Sequence, residues 1–137
     1  MTRAMHEAYR LIALHNETDP ELLAEKMQIL VILCDLPETV DGFYHCFRGK
    51  AIIYLSARLP TQRRKTVCGH ELGHAVLHGD INSLLLGESD ARLEREADMF
   101  SAALLLHEHA ADCCDVQSAI RETGLPEAAI RRVYDLM

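Results

Sequence analysis

His70-Glu71-Leu72-Gly73-His74 is the stretch whose residue types and spacing most directly imply chemistry. Two histidines four positions apart share one face of a helix, so both imidazoles can reach a single metal ion. Glu71, one step round from His70, can stand beside that ion without being consumed as a ligand. Zinc held by three protein groups keeps a fourth position for water and lowers that water's pKa to about 7. A neighbouring carboxylate can then take the water's proton and return it to a leaving amine. The pattern predicts a peptidase with one Zn2+ per chain, His70 and His74 as ligands and Glu71 as general base.

A third ligand is expected from Glu94-Arg95-Glu96-Ala97-Asp98. Glu94 and Asp98 are four apart, so Glu94 can bind the metal while Asp98 accepts a ligating histidine's ring N–H and fixes its tautomer. Glu96 lies about 200° from Glu94 on a helix. Four positions beyond it stands Phe100 rather than an acid, which assigns that face to the core. Charged runs are usually solvated helix faces, but Leu93, Ala97, Phe100 and Leu104 mark this helix as core-packed. His78 extends the row from His70 and His74 yet falls too far along to ligate, so it lines the cleft or packs at the helix end. His107 and His109 either donate to a developing oxyanion or are exposed helix-end residues. Tyr54 is a further candidate for cleft lining.

The elements that must position these groups can be read from start and stop signals. A first helix is expected over residues 2–14, and Asp19-Pro20 caps and opens a second through Lys26. The β-branched run 29–34 reads as a short buried strand. Residues 42–47 and 50–55 flank Arg48-Gly49 and read as a hairpin, with 51–55 as the candidate edge strand for pairing an extended substrate. Leu59-Pro60-Thr61 opens the helix that carries 67–78, stopped by Gly79-Asp80. A loop containing Gly87 leads to Ser89-Asp90, which caps a long helix to about residue 110. Two short helices, 116–122 and 127–136, are broken by Gly124-Leu125-Pro126. The class is α+β, mostly helical, with a small three-stranded sheet before the central helix.

Residues 1–137 are expected to form a single domain. With no Trp and few aromatics, the core must come mainly from Leu, Ile, Val and Ala. The net charge of -7 argues against a general nucleic-acid binder. No apolar run is long enough to span a membrane, and no signal peptide is visible, so a cytoplasmic protein is expected. Five cysteines without a CxxC pair read as reduced thiols. Each behaves as a small buried hydrophobe, with residual redox or metal interest only in Cys113-Cys114.

The runs 67–78 (VCGHELGHAVLH) and 93–106 (LEREADMFSAALLL), with Asp41-Gly42-Phe43-Tyr44 and 51–56 upstream, resemble the ImmA/IrrE family of bacterial and phage metallopeptidases. Many zinc peptidases share HExxH; the later acidic run with its phenylalanine and three leucines is more specific. The resemblance implies a minimal zincin fold and a site-specific endopeptidase. Family members typically cut a helix-turn-helix repressor and so switch on mobile-element or stress genes. The sequence departs from the family at His107-Glu108, where a Met-Pro ending is common. No fused DNA-binding domain is read at the N-terminus, so a repressor substrate is expected to be a separate chain.

Two other readings compete. One is a non-catalytic regulator that binds a partner on the same fold; the intact His70, Glu71 and His74 weigh against it. The other takes residues 118–133 as a helix-turn-helix placing Arg131 and Arg132 on DNA, although paired packing helices are the commoner use of that pattern.

Overall fold

The structure, a computed structural model, describes residues 1–79, 90–108 and 115–137. The Gly87 loop, His109 and Cys113-Cys114 lie outside the described residues. Helix α1 spans Arg3–His15, with the Thr2 side chain accepting from the Met5 amide. Asp19 caps α2 (Pro20–Lys26) in the same way, with Pro20 at its first turn. Strands β1 (Leu30–Cys34), β2 (Gly42–Phe47) and β3 (Lys50–Ser56) follow, then α3 (Thr61–Leu77). Helix α4 is Ala91–Glu108, α5 Val116–Thr123 and α6 Glu127–Leu136. Helices outweigh the three-stranded sheet that precedes α3, so the fold is α+β as its sequence pattern predicts.

The hairpin forms where Arg48 and Gly49 both adopt positive φ, 52° and 76°. That conformation matches the right-handed twist of paired strands. The sheet order is β1-β3-β2, with β1 parallel and β2 antiparallel to β3. Two expectations are corrected here. Residues 51–55 are not an edge: β3 is central, with neighbours on both sides. Nor is β1 buried, since Leu30 is 57% and Leu33 46% exposed. Among the described residues β1 is an outer strand, paired on one side only.

Ile53, Leu55 and Tyr44 of the sheet are buried together with Val67, Cys68 and Leu72 of α3. Met5, Ala8 and Leu11 of α1 join Phe100 and residues 104–106 of α4, and Ile130 and Val133 of α6 complete the core. Leucine and alanine dominate it, as the composition requires. Cys68 is fully buried, and burial pushes its thiol pKa up, which fits a packing role.

Helices α3 and α4 meet through small residues. A Cβ on Gly69 would stand 2.5 Å from Ser101 Oγ, and one on Gly73 would stand 3.1 Å from the Ala97 Cα. The Ser101 hydroxyl itself donates to the Thr66 carbonyl at 2.9 Å. This close crossing brings the acids of α4 over the histidines of α3.

Candidate metal centre

His70 and His74 leave α3 on the face turned to α4, with ring centroids 4.8 Å apart and planes at 84°. Glu94, in the first turn of α4, sets its two carboxylate oxygens against them. Its Oε2 is 2.7 Å from His70 Nε2 and its Oε1 is 3.4 Å from His74 Nε2. One ligand atom from each of His70, His74 and Glu94 falls within 4.8 Å of the others. Two imidazoles and one carboxylate are a donor set that suits zinc. His74 is fully buried, and among the described residues its Nε2 finds no hydrogen-bond partner. A buried ring nitrogen left in that state is costly unless something else satisfies it. The cluster therefore fits a metal ion on a test independent of sequence motif.

Asp98 completes the side facing α4. The His70 Nδ1–H donates to Asp98 Oδ1 at 2.7 Å, which leaves Nε2 directed at Glu94. Burial alone would lower the His70 pKa, but its bonds to Asp98 and Glu94 and the nearby Glu71 raise it to about 10. Burial would raise the Glu94 pKa, but the hydrogen bond to His70 and the neighbouring His74 hold it near about 2. Without a metal, the pair is thus a protonated imidazole against a carboxylate.

Glu71 is 6% exposed and lines a cleft of about 540 Å³ together with His70, Glu94 and Asp98. Residues 39–43, Arg63, Thr66 and Val67 form one side of this cleft, and Gly124-Leu125-Pro126 another. The sequence reading missed these walls. Gly124 reads as a helix terminator and is one, at φ 70°; only the tertiary fold shows that its turn faces the metal cluster. The rim at 36–41 is held by Arg58, whose guanidinium donates to the carbonyls of Leu36, Glu38 and Val40.

Tyr54, His78 and His107 are not among the residues that form this cleft; His78 is instead packed at its helix end and His107 exposed, the other reading given for each. Tyr54 stacks on Phe43 with centroids 4.7 Å apart. His107 is exposed and lies by Tyr9, 5.7 Å between ring centroids. His78 is buried behind His74, with the two Nδ1 atoms 2.9 Å apart, and its Nε2 is 3.0 Å from Glu96 Oε2. Glu96 is therefore not on a core face either: its side chain is 31% exposed and meets His78 and Arg92. His78 caps α3 at φ -132° and ψ 41°. It is thus a packed helix-end histidine, one of the two readings its position allows.

No described helix is long and apolar enough to cross a membrane. No solved structure matches the chain. It is 36% identical over 101 residues to "Uncharacterized immunity region protein 2" of Bacillus phage phi105. That match covers 71% of this chain and 64% of the phage protein, less than two thirds of the relative's length. The model of peptidase family M78, described as the IrrE N-terminal-like domain, matches residues 24–119. The matched segment contains the sheet, α3 and α4, and with them His70, His74 and Glu94 of the cluster and the neighbouring Glu71 and Asp98. The family is one of metallopeptidases, in keeping with a His-His-Glu group able to hold a metal. The chain belongs to peptidase family M78.

Proposed function

We propose that the chain is a zinc-dependent endopeptidase acting on a helix-turn-helix repressor, with His70, His74 and Glu94 as metal ligands. The observation that carries this reading is the convergence of those three residues on one point, with the Glu71 carboxylate on the same cleft wall. Bound zinc supplies a Lewis acid that polarises a peptide carbonyl and acidifies a water. The Glu71 carboxylate takes the proton of the attacking water and delivers it to the leaving amine nitrogen. Asp98 accepts from the His70 Nδ1–H and so directs Nε2 to the metal, which takes the place of the Nε2 proton.

An extended substrate segment has a place to pair. Strand β2 is hydrogen-bonded to β3 on one side, and its Gly42 and Phe43 border the cleft. Added main-chain bonds along that edge would draw a peptide past Glu71. The repressor as substrate rests on the family resemblance and on the phage relative, whose name places it in an immunity region. A cytoplasmic protein in which residues 1–137 act as one domain completes the proposal.

The test is incubation of zinc-loaded protein with helix-turn-helix repressors from its own genome, with and without chelator. One or few fragments should form, and chelator should stop their formation. Glu71→Gln, which keeps the metal ligands, should lose about 100-fold or more of the rate, as expected for removing a general base. A Glu71→Gln protein that cuts within a few fold of wild type contradicts the assignment of the base.

A further inference from the structure

Behind His74, on the side away from the cleft, two more residues continue the chain of contacts. His74 Nδ1 lies 2.9 Å from His78 Nδ1, and His78 Nε2 lies 3.0 Å from Glu96 Oε2. The His78 ring is 4% exposed and the His74 ring is fully buried, so solvent offers little alternative partnering. Each close contact needs one donor and one acceptor, and an ionised carboxylate can only accept. His78 Nε2 must therefore carry a hydrogen. A neutral His78 then has a bare Nδ1, which can only accept from His74. His74 in turn carries its hydrogen on Nδ1, and its Nε2 is left as a lone pair. That atom is the buried nitrogen that has no hydrogen-bond partner among the described residues, 3.4 Å from Glu94 Oε1.

We propose that His78 and Glu96 act as positioning residues, fixing His74 with its proton on Nδ1 and its Nε2 free to bind the metal. The inference rests on the reading of His70, His74 and Glu94 as a metal centre. It gives each histidine ligand its own carboxylate: Asp98 directly for His70, and Glu96 through an intervening imidazole for His74. One acid on α4 thus acts across two rings: with His78 neutral, each intermediate nitrogen has a single role as donor or acceptor. Glu96→Gln breaks that logic without changing the side-chain shape. An amide can also donate, so the sense of both hydrogen bonds becomes undetermined.

Two readouts test the proposal. Zinc affinity should fall about 10- to 100-fold in Glu96→Ala and in His78→Phe, the range typical for partners of metal ligands. Arg92→Ala removes another neighbour of Glu96 and should leave affinity within about twofold. Imidazole nitrogen NMR on the metal-free protein reads the tautomer itself, which a merely structural role would not move. Wild-type His74 should carry its proton on Nδ1, and Glu96→Gln should show both tautomers. A wild-type His74 protonated only on Nε2 overturns the inference, as does unchanged zinc affinity in both Glu96→Ala and His78→Phe. Failure of wild type to bind zinc at all would sink the metal-centre reading instead, and the NMR result would still decide the tautomer. Thermal melts of each variant identify any loss of affinity that comes from unfolding, in which case Glu96→Gln carries the comparison.

Discussion

Glu94 Oε2 lies 2.7 Å from His70 Nε2, although the two residues are 24 apart in sequence. The contact joins two helices and depends on how closely they pack. Gly69 and Gly73 present no side chain to α4, so Ala97 and Ser101 sit directly against the backbone of α3. The carboxylates one turn away on α4 then come within reach of the imidazoles.

Gly69→Ala should therefore disturb both packing and metal binding. The new methyl would stand 2.5 Å from Ser101 Oγ and force that hydroxyl off the Thr66 carbonyl. A cost of about 1–3 kcal/mol is expected for such overpacking. Denaturant unfolding measures it, and a stability within about 0.5 kcal/mol of wild type would show that the crossing relaxes freely.

The charge pair at the site gives a pH dependence with a defined sign. His70 has its pKa raised to about 10, from 6.5. Its stabilising effect on metal-free protein is full below about 6.5 and is lost as pH rises through about 10. Glu94 has its pKa lowered from 4.5 to about 2, so its contribution is full above about 4.5 and lost as pH falls through about 2. The melting-temperature gap between metal-free wild type and His70→Asn should thus be widest between about pH 4.5 and 6.5. Zinc must also displace the His70 proton at neutral pH. Calorimetry in two buffers of different ionisation enthalpy should report about one proton released per zinc bound; no buffer dependence would contradict a protonated His70.

Arg58 should control the rim of the cleft. Its guanidinium donates to three backbone carbonyls of residues 36–40 and at 2.7 Å to Ser56 Oγ. Arg58→Ala leaves those carbonyls to water and should destabilise the rim locally by roughly 1–2 kcal/mol. Amide exchange at Val40, which donates to the Pro37 carbonyl, should quicken about tenfold or more. Unchanged exchange there would mean that the turn holds itself.

Much of this arrangement was legible in the sequence where it is set by local geometry. His70 and His74, like Glu94 and Asp98, are one helical turn apart, so their shared face follows from spacing alone. Asp19-Pro20 and Arg48-Gly49 likewise act through their own backbone. The misreadings involve long-range pairing or a break in regular geometry. Pairing β1 with β3 in parallel requires a crossover that no local signal marks, so residues 51–55 read as an edge in sequence but are central in the fold. A helical projection assigns Glu96 to the core, because its partner His78 stands on another helix and leaves helical dihedrals at the α3 end. The walls at 39–43 and 124–126 come from two separate regions that meet only when the core forms.

The central claim is that His70, His74 and Glu94 hold one metal ion. It is tested most directly by zinc content after equilibration with zinc and removal of the excess. Wild type and Glu71→Gln should each retain about one zinc per chain, while His74→Ala should retain none and Glu94→Gln should bind much more weakly. Wild type that cannot be loaded, or His74→Ala that holds zinc as tightly as wild type, would contradict the account.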